Sequence, residues 1–100
     1  MVIYGQQMMN TEMTPQEIFE YKRNWKMTCC HSVQVDMDSH IWGKEWCRKH
    51  LDRIDWSFDK HTRPDDSHTF MFKDEIAANT FLEEYRKYNP RFPTSIEVTP

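Results

Sequence analysis

The stretch IDWSFDKHTRPDDSHTFMFKD, residues 54–74, decides the fold class that we predict for this chain. Its first part alternates, with Trp56 and Phe58 on one side and polar residues on the other. TRPDDS contains a proline and two aspartates and predicts a turn. SHTFMF then alternates again, with Phe70 and Phe72 facing inward. Two such strands joined by a polar loop predict a β-hairpin.

Helices and strands are predicted on both sides of this hairpin. HSVQVDM, residues 31–37, alternates like a half-buried strand, and residues 40–51 and 75–88 have apolar residues at helical spacing. SIEV, residues 95–98, fits a short edge strand. The resulting order predicts an α+β fold, specifically a ferredoxin-like βαββαβ antiparallel sheet with its helices on one face.

An extra N-terminal helix precedes this arrangement. TPQE, residues 14–17, has the threonine, proline and glutamate of a capped helix start. A helix is therefore predicted at residues 15–27. Its apolar stripe is expected to contain Ile18, Phe19 and Trp25.

The length and the terminal residues predict one intracellular domain. We expect a flexible or partner-binding arm at residues 1–13 and a single α+β domain at residues 14–100. MVIYGQQMMNTEM has no basic start and no sustained apolar run, so it does not resemble a signal peptide. No segment approaches the roughly 20 apolar residues of a membrane span. Because 3 cysteines cannot form a complete set of disulfides, a reducing, cytoplasmic compartment is predicted.

The charge distribution makes nucleic acid an unlikely partner, although it stays the first alternative. The formal net charge is −3, whereas nucleic-acid binders usually carry a positive excess. Strand parity places an acidic set without stacking aromatics on the sheet face opposite the helices, namely Gln34, Asp36, Asp55, Ser57, Asp59, Thr69 and Met71. The alternative binding residues form one basic group around the helix at 40–51: Lys44, Arg48, Lys49 and Arg53.

Metal binding is the second alternative. SHIWGKEWCRKH, residues 39–50, places Cys47 and His50 three residues apart on a helix, and Cys30 could complete a zinc site. The chain has no CxxC pair, however. We therefore favour Cys47 as a small core residue and His50 as a cation at the helix end, and we predict no cofactor.

No catalytic residue is predicted. Cys29 or Cys30, together with His31, would supply a nucleophile and a base, but neighbours on a strand point to opposite faces. The paired carboxylates are predicted in a turn, at a helix cap or on a polar strand face, where they have ordinary structural roles. Asp65 and Asp66, for example, lie in the predicted turn. We therefore expect a protein that is not an enzyme.

The leading hypothesis is a small protein-binding module. The arm and the first helix contain apolar residues beyond what the sheet needs, and interface cores favour aromatic residues and methionine. The expected contact residues are Tyr4, Met8, Met9 and Trp25. Homodimerisation through an uncovered sheet face or edge is a related alternative.

Four segments carry a resemblance to a known group of proteins. MTPQEIFEYKRNW, KEWCRKHL, DWSFDKHT and HTFMFKDE resemble segments of small orphan proteins of tailed bacteriophages, including those that infect cyanobacteria. The resemblance covers about residues 13–88. It implies a small accessory protein, made in the host cytoplasm during infection, that binds a host or viral macromolecule, and it implies no catalytic residue.

Overall fold

Four antiparallel strands and three α-helices form an α+β domain in residues 13–59 and 63–99, the part of the chain that the computed structural model describes. The elements, in chain order, are α1 (Pro15–Thr28), β1 (Cys30–Asp36), α2 (His40–His50), β2 (Trp56–Asp59), β3 (Ser67–Phe72), α3 (Glu75–Tyr88) and β4 (Ile96–Thr99). A 3-10 turn, Met37–Ser39, leads into α2. The predicted arm lies outside the described residues except for Met13.

Helix α1 begins with the predicted capping box. The Thr14 hydroxyl accepts a hydrogen bond from the Glu17 N–H at 3.1 Å, and the Glu17 carboxylate accepts one from the Thr14 N–H at 2.9 Å. Trp25 is buried, as predicted, and Ile18 is half-buried. The prediction for Phe19 was wrong, because this side chain is 61% exposed. One residue rotates a helix by about 100°, so Phe19 lies outside the stripe of Ile18 and Trp25.

The sheet order is β2-β3-β1-β4, and every neighbouring pair is antiparallel. Val33 of β1 lies opposite Phe70 of β3 on one side and Ile96 of β4 on the other. The short strand predicted from SIEV is therefore confirmed, and β4 is an edge of this sheet. β2 is the other edge.

The aromatic residues of the hairpin lie beneath the helices, as strand parity predicted. Phe70 and Phe72 are fully buried and both contact the ring of Phe81 on α3. Helix α2 approaches the same face at Gly43, where an added Cβ would lie 2.5 Å from Cζ of Phe70. Glycine therefore allows the close contact between α2 and the sheet. Trp56 is buried in the same core.

The opposite sheet face carries small and polar side chains. Thr69 donates a hydrogen bond to the Gln34 side chain at 2.7 Å across two strands, and Ser57 pairs with Met71. No aromatic side chain of the four described strands lies on this face. The predicted acidic set needs two corrections there. Asp55 lies in the turn before β2, and the carboxylate of Asp36 is turned toward α3.

Helix α1 packs at the end of the sheet where β1 and β2 begin. The Trp25 Nε1–H donates to the Ile54 carbonyl at 2.9 Å, which ties α1 to the turn before β2. Lys73, just after β3, donates a hydrogen bond to the Tyr21 hydroxyl of α1.

No helix in the described part of the chain is long and apolar enough to cross a lipid bilayer.

Candidate functional site

A row of aromatic rings joins α2 to α3. Trp42 stacks on Tyr88 with ring centroids 4.8 Å apart and also contacts Phe81. One turn later, Trp46 meets the Phe81 ring edge-on at 5.5 Å and stacks on His50 at 4.5 Å. The two tryptophans of the predicted helix thus lie at the interface between the helices, and the interface differs at its two ends.

The end near Trp42 is closed by a hydrogen-bond network around Asp36. The Tyr85 hydroxyl donates to the Asp36 carboxylate and accepts from the Asp36 N–H at 2.9 Å. Ser39 also donates to this carboxylate, and the Asn89 amide does so at 2.8 Å. Burial opposes ionisation, but the hydrogen bonds from Ser39, Tyr85 and Asn89 outweigh it and lower the pKa of Asp36. We call this region the closed end.

Burial and the bond to Asp36 raise the pKa of Tyr85 from its ordinary 10.0 to about 12. The tyrosine is therefore a neutral hydrogen-bond donor at physiological pH, and the Asp36 carboxylate is an ionised acceptor whose Oδ1 already accepts three hydrogen bonds. Their role is to join the end of β1 to α3.

The other end of the helix pair is open. A cleft of about 680 Å³ lies between the end of α2 and the start of α3. Its lining residues are Trp46, His50, Leu51, Asp74, Glu75, Ile76, Ala77 and Thr80. We call it the interhelical cleft. Ile76 is 80% exposed, the largest exposed fraction among the exposed apolar side chains in the described part of the chain.

The interhelical cleft combines an apolar wall with a polar rim. Trp46, Leu51 and Ala77 are partly buried against the core and supply apolar surface. The His50 Nδ1–H donates to the Trp46 carbonyl at 2.9 Å, which holds the imidazole against the indole. Asp74 and Glu75 add negative charge at the start of α3. Such a surface suits an apolar side chain of a partner, because binding hot spots combine aromatic anchors with a polar surround.

The structure does not bring together the three alternative zinc ligands. Cys47 is fully buried under α2, and burial raises the pKa of its thiol far above the ordinary value. Cys30 lies on the opposite sheet face, with Sγ 3.7 Å from the Ser32 hydroxyl, and burial raises its pKa too. His50 is exposed and bonded to Trp46. No group of three or more potential metal ligands occurs among the described residues.

The predicted partner-contact residues mostly fall outside the structure. Tyr4, Met8 and Met9 lie outside the described residues. Trp25 is only 6% exposed and its indole N–H is bonded to Ile54. Its contact role stays a prediction.

Sequence reasoning missed Ile76. The signal was present, because Ile76 is an apolar residue outside the buried stripe of Ala78, Phe81, Leu82 and Tyr85 on the same helix.

The four residues of the predicted basic group do not share one surface row in the structure. The Lys44 ammonium lies 4.4 Å from the centroid of the Phe58 ring on β2. Arg48 and Lys49 are exposed in the last turn of α2, and Arg53 is exposed in the turn before β2. Lys44 and Arg48 lie on one row of α2, and Lys49 lies about 100° away from Arg48.

Comparison with known proteins adds no relative: no family model, no curated protein and no solved structure matches this chain.

Proposed function

We propose that this chain is a small non-enzymatic protein-binding module and that its partner docks on the interhelical cleft. The observation that carries the proposal is the position of Ile76. An isoleucine that is 80% exposed borders a cleft of about 680 Å³ walled by Trp46, Leu51 and Ala77. Exposed apolar surface beside an aromatic residue costs solvation free energy in the free protein, and a partner that covers it recovers that free energy.

The chemistry of the titratable groups supports a binding role rather than catalysis. Three groups with a shifted pKa have a structural cause: Cys47 is buried in the core, and Asp36 and Tyr85 are bonded to each other. None of these three groups lines the interhelical cleft. Perturbed pKa values often mark catalytic sites, so the location of these groups away from the cleft favours binding as the role of the cleft.

The partner is expected to be a host or viral protein. This expectation comes from the resemblance to small phage proteins, which also makes the host cytoplasm the expected location. Homodimerisation through β2 or β4 remains the related alternative, because both are edges of the described sheet and Val98 of β4 is exposed.

We also propose that the fold is ferredoxin-like. The support is the element order β1-α2-β2-β3-α3-β4 together with the strand order β2-β3-β1-β4. Both α2 and α3 contact Phe70, so these helices share one face of the sheet. Helix α1 is then an N-terminal addition to this arrangement.

The test compares two substitutions of the same kind. Ile76→Asp and Ile41→Asp each replace an exposed isoleucine at the second position of a helix, and Ile41 does not line the cleft. A negative charge is tolerated there, because it faces the positive end of the helix dipole. Tagged wild-type protein and both variants are used for affinity capture from lysate of infected cells, with quantification by mass spectrometry.

We expect a partner that is enriched by the wild type and by Ile41→Asp and is lost with Ile76→Asp. Retention of the same partner by Ile76→Asp would place the contact elsewhere. Light scattering of the wild type tests homodimerisation separately. If the mass is that of a dimer for the wild type and of a monomer for Ile76→Asp, the partner of the cleft is a second copy of this chain.

A further inference from the structure

Two lysines from different helices lie over neighbouring rings of the edge strand β2. The Lys22 ammonium of α1 is 5.7 Å from the centroid of the Trp56 ring, and the Lys44 ammonium of α2 is 4.4 Å from that of Phe58. Trp56 and Phe58 are two residues apart and face the same side, so their Cα atoms are about 6.6 Å apart along the strand. The two charges therefore follow one edge of the sheet.

Each lysine has a second cation one helical turn further on. Lys26 follows Lys22 on α1, and Arg48 follows Lys44 on α2, and residues four apart share a helix face. The Trp25–Ile54 hydrogen bond holds α1 against the turn before β2, so that both rows lie beside this edge strand. We call Lys26, Lys22, Lys44 and Arg48 the basic track.

The charges of the basic track are not neutralised within the described structure. In residues 13–59 and 63–99, none of the four side chains forms an ion pair. Two carboxylates of this region are directed away from the track, since Asp55 lies beside Lys73 and Asp59 belongs to the opposite sheet face. Partial burial and then the charges of Lys26 and Arg53 lower the pKa of Lys22. Like charges held close together favour binding of an anion.

We propose that the basic track binds the phosphate backbone of a single-stranded nucleic acid along the edge of β2. A nucleic-acid strand carries one charge per nucleotide along an extended chain, which suits a linear row of cations. Lysine serves as a point charge toward phosphate. The opposite sheet face has no aromatic platform for bases, so the contact is made to phosphates and is independent of base sequence.

This activity goes beyond protein binding and uses another surface. The track follows the row of Lys44 and Arg48 on α2, whereas the interhelical cleft uses Trp46 and His50 on another side of that helix. The net charge of −3 does not prevent the contact, because screening confines the attraction to the local charges.

The experiment measures fluorescence anisotropy of a labelled oligothymidylate against protein concentration over a series of salt concentrations. The variant Lys22→Gln/Lys44→Gln removes two charges of the track. The matched control Lys87→Gln/Arg91→Gln removes two exposed charges near the end of α3. We expect the slope of log affinity against log salt to fall by about 1.4 for the track variant, at about 0.7 per lost phosphate contact, and to stay unchanged for the control.

A second variant, Lys26→Gln/Arg48→Gln, repeats the measurement without touching the two ring contacts, and circular dichroism checks that each variant is folded. Absence of wild-type binding at low salt would overturn the proposal. An equal loss in the track variant and the control would do the same, since it would show only a net-charge effect. Polyglutamate that competes as well as oligothymidylate would show that the track does not select phosphate.

Discussion

The two ends of the α2–α3 interface differ in how one aromatic row is covered. At the closed end, Trp42 is covered by Tyr88, and Tyr85 is bonded to Asp36. At the open end, Trp46 stacks on the exposed His50, and Ile76 lines the same cleft with most of its surface exposed. Tryptophan alone therefore does not indicate whether a helix surface is core or binding site.

The difference arises from what the rest of the chain brings to each end. The closed end receives the last residue of β1 and the residue after α3, which supply Asp36 and Asn89 as polar partners. In the described part of the chain, no comparable hydrogen-bond network covers Ile76. An apolar side chain without such cover is available to another molecule, and this contrast leads to three predictions about stability.

Phe81→Ala should have the largest effect, because Phe81 belongs to both ends. Its buried ring contacts Trp42, Trp46 and Phe70. Removing a buried aromatic ring leaves a cavity and costs about 3–5 kcal/mol of unfolding free energy. Urea unfolding followed by tryptophan fluorescence measures the loss. A loss below about 1 kcal/mol would mean that the two ends do not share a core.

Tyr85→Phe should weaken only the closed end, by about 1–3 kcal/mol at neutral pH, because the Asp36 N–H and carboxylate lose a partner. The pKa of Asp36 is lowered on folding, so its stabilisation is present above its ordinary pKa of 3.8 and is lost as the pH falls through the folded value. The difference between wild type and variant should therefore shrink in acid.

The stability at alkaline pH gives an independent check of the Asp36–Tyr85 hydrogen bond. Folding raises the pKa of Tyr85 from 10.0 to about 12, so the stabilisation is present below pH 10 and is lost between these values. The variant lacks the hydroxyl and should not show this alkaline loss. Thermal unfolding followed by circular dichroism over a range of pH measures both the acid and the alkaline loss of stability. Parallel pH profiles for wild type and variant would argue against the Asp36–Tyr85 joint.

Ile76→Asp should have the smallest effect on stability, within about 0.5 kcal/mol, because the side chain is largely exposed and its position in the first turn of α3 accepts negative charge. The comparison is with Ile41→Asp at the same position of α2, measured by thermal unfolding. A substantially larger loss for Ile76→Asp would show that Ile76 belongs to the core. The open end would then be closed as well.

Much of the secondary structure could be predicted because it depends on local periodicity. The capping box of Thr14 and Glu17 and the alternation around Val33 and Phe70 need no distant contact to be recognised. Phe19 was misplaced because an apolar residue next to a stripe is indistinguishable from one inside it until a neighbour is known. The candidate site was missed for a related reason, since the sequence shows Ile76 as an apolar residue outside the stripe of α3 but does not show that it shares a cleft with Trp46.

The sequence by itself determined the order of helices and strands and the side of the sheet on which the aromatic residues lie. Only the tertiary structure decided that the Asp36 carboxylate turns toward Tyr85, that Cys30 and Cys47 lie on opposite sides of the sheet, and that α1 brings Lys22 to Trp56. The physical reason is the difference in sequence separation between the interactions involved. Periodicity reflects the burial of one face of a local element, whereas a site depends on contacts between residues far apart in the chain.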